Sequence, residues 1–191
     1  RGAVRTERER VNRTPLKGVA GAAAPHELTP AQREAVAAIK GSGKTVHLLH
    51  GVTGSGKTEI YLTLIAEALA AGKSAIFLVP EISLTPQMFS QLRARFGENA
   101  AILHSGLSAG EKFDEWQRLR TGEAKIAVGA RSAVFAPLTD IGVIVLDEEH
   151  DSSYRSETNP RYDTAEIAEM RAKYNGCKLV LGSATPSVET Y

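Results

Sequence analysis

Gly51-Val52-Thr53-Gly54-Ser55-Gly56-Lys57-Thr58 reads G-x-x-x-x-G-K-[ST]. That pattern cradles phosphate only where a buried strand enters it and a helix leaves it. Both flanks fit. Val46–His50 reads as a short buried strand, and residues 58–71 read as a helix with Ile60, Leu64, Ala68 and Ala71 on one stripe. The glycines let the backbone curl so that successive N–H groups of Gly51, Thr53, Gly54, Ser55 and Gly56 point at phosphate oxygens, and the helix N-terminus adds its dipole. Lys57 would reach the β- and γ-phosphates, and the Thr58 hydroxyl would ligate Mg²⁺. The chain is thus predicted to take a nucleoside triphosphate with magnesium. A shorter copy of the motif, Gly41-Ser42-Gly43-Lys44-Thr45, has Ala38 where its first glycine belongs and follows a helical pattern, so it reads as a helix stop and turn.

Downstream, apolar strands alternate with amphipathic helices. The strands are 74–79, 100–104, 125–128, 141–146 and 177–181; the helices are 30–40, 85–96, 108–120 and 164–174. Thr29-Pro30-Ala31-Gln32 is a capping box with proline at the first helical position. Near-continuous apolar strands alternating with helices indicate an α/β fold, a parallel sheet covered on both faces. Phe113, Trp116 and Leu119 are predicted to form a core stripe on one helix. Residues 151–163 form an irregular stretch, a candidate functional loop.

The 191 residues suffice for one well-buried domain, preceded by residues 1–27, which read as a linker or the tail of a preceding domain. The net charge is +1, so any nucleic-acid surface must be local and not global. The basic excess near the start (Arg1, Arg5, Arg8, Arg10, Arg13 and Lys17 against Glu7 and Glu9) belongs to that tail. No apolar run reaches membrane-spanning length, so no membrane association is expected, and Cys177 is the only cysteine, predicted to be a buried thiol in a cytoplasmic protein.

A second chemical signal is the strand Ile141–Leu146, which ends in Asp147-Glu148-Glu149-His150. A parallel strand delivers these acids to the edge where ligands bind in α/β sheets. Asp147 would hold Mg²⁺ opposite Thr58, and Glu148 would orient or deprotonate the attacking water; the plain alternative is a solvated acidic turn.

Asp147-Glu148-Glu149-His150 resembles the D-E-x-H box of superfamily 2 helicases, and Gly182-Ser183-Ala184-Thr185-Pro186 resembles their S-A-T motif. Val79–Gln87 and Val128–Ala133 are similar to their motifs Ia and Ib. Together with the phosphate loop extended to Glu59, the set resembles the replication-restart branch of these DNA helicases. The resemblance implies a RecA-like P-loop domain over residues 28–191, the first of two helicase lobes. It implies ATP as the nucleotide, catalytic roles for Lys57, Asp147 and Glu148, and movement on single-stranded and forked DNA in the 3′-to-5′ direction. It implies DNA-phosphate contacts by Ser83, Thr85, Gln87, Arg131 and Ser132, and coupling of ATP to DNA through His150, Ser183 and Thr185.

Several of these residues have a second reading. Thr85 is a good N-cap, Arg131 an ordinary surface charge, His150 a solvated strand-end residue, and Ser183 and Thr185 caps of a following helix. Gln32 resembles the adenine-reading glutamine of helicases but is also the capping-box partner of Thr29, and Glu59 joins the nucleotide set only by likeness. In the loop after the box, Tyr154, Arg155, Arg161 and Tyr162 resemble an aromatic-rich DNA-sensing loop; the tyrosines could equally pack on their own domain.

The resemblance also implies a second lobe carrying an arginine finger, zinc only in regions outside these residues, and primosome or single-strand-binding proteins as possible partners. An isolated lobe would bind nucleotide, hydrolyse it weakly or not at all, and not unwind. The competing classes are a small P-loop kinase or ATPase, for which no lid is evident, and a non-catalytic nucleotide-binding module.

Overall fold

A hydroxyl or carboxylate side chain opens four of the five helices in this computed structural model, which describes residues 27–186. Thr29 caps α1 (Pro30–Gly41) in a full capping box with Gln32. Thr85 caps α3 (Pro86–Phe96), Ser108 caps α4 (Ala109–Thr121) in a second capping box with Glu111, and Asp163 caps α5 (Thr164–Asn175). The exception is α2 (Lys57–Ala70), whose N-cap is Gly56 and whose first turn has no side-chain cap. The predicted tail lies outside the described residues, apart from Glu27.

Six strands, β1 (Val46–His50), β2 (Ser74–Leu78), β3 (Ala100–Leu103), β4 (Ile126–Gly129), β5 (Ile141–Leu146) and β6 (Lys178–Ser183), form one sheet in the order β1-β6-β5-β2-β4-β3. Every pairing is parallel. Side chains alternate across the sheet. Ala75, Phe77, Val143, Val145 and Val180 pack with α1, α2 and α3 on one face; Ile76, Leu78, Ile144, Leu146, Leu179 and Leu181 pack with α4 and α5 on the other. Tyr61, Ile65 and Phe77 are fully buried in the first layer, which fixes the phosphate-loop helix against the centre of the sheet.

Two sequence expectations fail. The strand β1 is half-buried, not buried, because among the described residues it is an edge strand paired with β6 alone. The Phe113–Trp116–Leu119 stripe is not core: Leu119 is 2 % exposed, but Trp116 is 38 % and Phe113 59 %. Positions i and i+6 lie about 120° apart around a helix, so one end of the stripe turns outward. The space facing β3 goes instead to Glu115, fully buried, which accepts the Ile102 N–H at 2.9 Å and pairs with Arg118 at 2.8 Å. Burial pushes the Glu115 carboxyl above its ordinary value, and Arg118 pulls it back. This polar pair closes an exposed sheet edge, where an unpaired N–H would template aggregation.

Candidate nucleotide site and nucleic-acid cleft

Because all strands run the same way, their C-terminal ends share one edge. Read along the sheet, that edge presents the phosphate loop after β1, Ala184–Pro186 after β6, Asp147–His150 after β5, Val79–Thr85 after β2, Ala130–Phe135 after β4 and His104–Ser108 after β3. Topology alone therefore brings the segments chosen from sequence to a single ledge.

At the β1 end, Gly54 and Gly56 have φ of 81° and 82°, which turns the loop into a concavity of backbone N–H groups. Lys57 is 8 % exposed; its ammonium donates to the Gly51 carbonyl at 2.7 Å and lies 3.8 Å from Glu148 Oε1. Thr58 is exposed in the first turn of α2. Gln32 does two things with one amide. Its Oε1 accepts the Thr29 N–H at 2.9 Å, and its Nε2 donates to the carbonyls of Ser55 and Gly56 at 3.4 and 3.3 Å. Glu59, grouped with the nucleotide set by likeness, turns elsewhere: its carboxylate pairs with Arg95 of α3.

Asp147 sits at the end of β5, held from three sides. Tyr61 donates to its Oδ1 at 3.0 Å, Tyr154 donates to its backbone carbonyl at 2.8 Å, and its own N–H donates to Leu78 O at 2.9 Å. Burial raises the Asp147 carboxyl above the usual range, and the Tyr61 hydrogen bond opposes that shift. Glu148 adopts φ 48°, a conformation uncommon outside glycine, where the chain turns sharply away from the sheet. The residues suit a magnesium nucleotide: a ring of amide donors, a lysine, a hydroxyl and a strand-end carboxylate. Among the described residues no group of three or more His, Cys, Asp or Glu side chains could hold a metal unaided, so Thr58 and Asp147 would share the ion with phosphate oxygens and water.

His150 links this site to the neighbouring segment. Its Nδ1 lies 2.9 Å from Ser183 Oγ, its Nε2 3.4 Å from Thr185 Oγ1, and the Glu148 carboxylate 3.8 Å from Nδ1. The phosphate loop joins the same network, because the Gly51 N–H donates to Ser183 O at 3.1 Å.

Toward β4 and β3 the ledge opens into a cleft of about 530 Å³ lined by His104, Lys112, Arg131, Ser132, Asn159 and Tyr162 among others. Arg131 and Ser132 are thus brought together with Tyr162, and Arg131 donates to the Arg155 carbonyl at 3.0 Å, tying the cleft wall to the irregular loop. Arg161 is exposed on that loop. Tyr154 is 2 % exposed, so its ring presents no face to a base, and Tyr162 packs edge-on to Phe135 with centroids 5.1 Å apart. Ser83, Thr85 and Gln87 do not line the cleft; Thr85 caps α3 through the Met88 N–H at 3.3 Å. Sequence reasoning missed His104, whose ring stacks on Phe89 at 5.9 Å, and Lys112, bonded to Ser105 O at 3.1 Å. The signal for His104 was its place as the last residue of a predicted strand, at the ligand-binding edge.

A DEAD/DEAH box helicase model matches residues 29–191, almost the whole described fold. The chain belongs to the DEAD/DEAH box helicase family. Within it the chain is 54 % identical over 171 residues to the replication restart protein PriA of Bacillus subtilis, covering 87 % of this chain and 21 % of that protein. It is 48 % identical over 187 residues to PriA of Synechocystis, covering 97 % and 22 %. The chain therefore spans about a fifth of the length of these curated relatives. Among solved structures, RecG bound to a three-way DNA junction matches with a TM-score of 0.61 at 25 % identity, covering 85 % of this chain and 22 % of that one. The UvsW helicase of bacteriophage T4 matches with a TM-score of 0.55 at 20 % identity over 84 % of this chain and 52 % of that one, which bears on the fold alone. The six-stranded parallel sheet is thus the RecA-like helicase domain expected from sequence. Among the described residues, no helix is long and apolar enough to cross a membrane.

Proposed function

We propose that this lobe binds ATP with Mg²⁺ and, in the full-length protein, couples hydrolysis to 3′-to-5′ movement on single-stranded and forked DNA during replication restart. Lys57 would neutralise β- and γ-phosphate charge, Thr58 and Asp147 would hold the metal, and Glu148 would orient or deprotonate the attacking water. A second RecA-like lobe of the polypeptide supplies the arginine that stabilises the transferring phosphate. Ser83, Thr85, Gln87, Arg131, Ser132 and Arg161 contact the DNA backbone, a role that needs polar and cationic side chains without base readout. The reading places the protein in the cytoplasm, with primosome or single-strand-binding proteins as partners.

One observation carries this reading above a small-molecule kinase. The acidic segment after β5, whose Glu148 lies 3.8 Å from Lys57, is hydrogen-bonded through His150 to Ser183, and through Tyr154 to the loop that walls the cleft holding Lys112 and Arg131. A kinase acceptor site has no use for such a link. ATP hydrolysis by the full-length protein, measured with and without single-stranded DNA, tests it: strong stimulation supports the helicase reading, and indifference to DNA overturns it. The isolated 191-residue lobe binds nucleotide but does not separate strands; unwinding by that lobe alone would remove the need for a second one.

A further inference from the structure

Tyr61 is a fully buried phenol one helical turn beyond Thr58, and nothing in the motif pattern calls for it. A leucine would fill the same apolar stripe at lower cost, because a buried hydroxyl must find a partner. Its ring packs on Phe77, with centroids 5.8 Å apart, and its hydroxyl reaches the C-terminal edge of the sheet to donate to Asp147 Oδ1 at 3.0 Å. The neighbouring strand makes room for it. A Cβ on Gly182 would lie 1.6 Å from the Tyr61 hydroxyl, 2.7 Å from its Cζ and 3.1 Å from Asp147 Oδ1. Three elements, α2, β5 and β6, are thus shaped around a single hydrogen bond to one carboxylate oxygen.

We propose that Tyr61 is a positioning residue for the metal: its hydroxyl fixes the orientation of the Asp147 carboxylate, and with it the affinity of the site for a magnesium nucleotide. Tyr154 holds the backbone of the same residue, so carboxylate and main chain are each pinned by a tyrosine. Partners of this kind, one step removed from a metal ligand, tune metal affinity by about 10–100-fold. The inference rests on the assignment of Asp147 to the metal.

The test uses the full-length protein carrying Tyr61→Phe, which keeps the ring and its packing and deletes only the donor. A fluorescent ATP analogue is titrated in Mg²⁺ and again in EDTA, and Mn²⁺ binding in the presence of non-hydrolysable ATP is read by electron paramagnetic resonance. Mn²⁺ affinity should fall about tenfold or more, nucleotide affinity should fall in Mg²⁺ and not in EDTA, and DNA binding should be unchanged. Tyr61→4-aminophenylalanine, which still donates a hydrogen bond, should restore metal binding. If Tyr61→Phe binds Mn²⁺ as the wild type does, the proposal is overturned whatever happens to turnover or thermal stability. If Tyr61→Phe is too unstable to assay, the amino analogue decides: wild-type metal affinity supports the proposal, and weakened affinity overturns it. If the wild type itself shows no metal-dependent nucleotide binding, the metal assignment fails, a separate result.

Discussion

The His150 imidazole spans the gap between two strand ends, lying 2.9 Å from Ser183 Oγ through Nδ1 and 3.4 Å from Thr185 Oγ1 through Nε2. Ser183 is fully buried and also carries the Thr185 N–H at 3.1 Å on its hydroxyl. Any shift of the acidic segment on nucleotide binding must therefore move the segment after β6, or break this contact. His150→Ala should leave basal ATP hydrolysis near wild type and reduce its stimulation by single-stranded DNA about tenfold, a coupling loss of about 1–2 kcal/mol. Steady-state hydrolysis with and without DNA gives the answer. Equal stimulation of mutant and wild type would remove His150 from the coupling path.

Lys57 and Glu148 lie 3.8 Å apart, one from the loop and one from the strand end, so the groups proposed to bind phosphate and to activate water face the same point. Lys57→Ala and Glu148→Gln should each cut DNA-stimulated hydrolysis by about 10²–10⁴-fold. They should differ in binding: Glu148→Gln keeps its affinity for ATP, while Lys57→Ala loses it. DNA affinity, followed by fluorescence anisotropy, should hold in both. Normal turnover in either variant would displace the assignment.

Local chemistry made much of the fold legible: Thr29 with Gln32 and Thr85 before Pro86 set helix starts from side chains a few residues apart. Strand order was not legible, because pairing β1 with β6 joins residues far apart in sequence, and burial follows from order. The role of Tyr61 was hidden for the same reason; its partner is 86 residues away. Helix orientation failed at Trp116, where Glu115 and Arg118 claimed the inner face. The consequence is measurable by denaturant unfolding. Trp116→Ala should cost less than about 1 kcal/mol, as surface changes do, whereas Leu119→Ala should cost about 2–5 kcal/mol. A reversed order would return the tryptophan to the core.

Gly129 ends β4 at the start of the cleft wall, where a Cβ would stand 2.1 Å from the Leu103 carbonyl oxygen of β3 and 2.9 Å from Ala133 Cβ. The nearer obstacle is backbone of a paired strand and cannot rotate away. Gly129→Ala should destabilise the domain by about 1–3 kcal/mol through overpacking, and should also weaken DNA binding by displacing Arg131 two residues on. Paired measurements of unfolding and DNA affinity would register both effects. Wild-type stability would mean that β3 and β4 can separate freely at this end.

Cys177 is 5 % exposed at the entrance to β6, and burial pushes its thiol up to about 11 from 9.0, with Lys73 and Arg171 opposing the shift. The folded state thus keeps a proton that the unfolded state releases between those values. By linkage, stability from this group is complete below about pH 9 and is lost as pH rises through 11. Cys177→Ala should therefore flatten the alkaline limb of the stability profile, which thermal melts across pH 8–11 would resolve. At pH 8 the native thiol should also react with a disulfide reagent only as fast as the domain opens, since both thiolate and access are scarce. A rapid reaction in the native state, unaffected by added nucleotide, would show that the strand entrance is open to solvent.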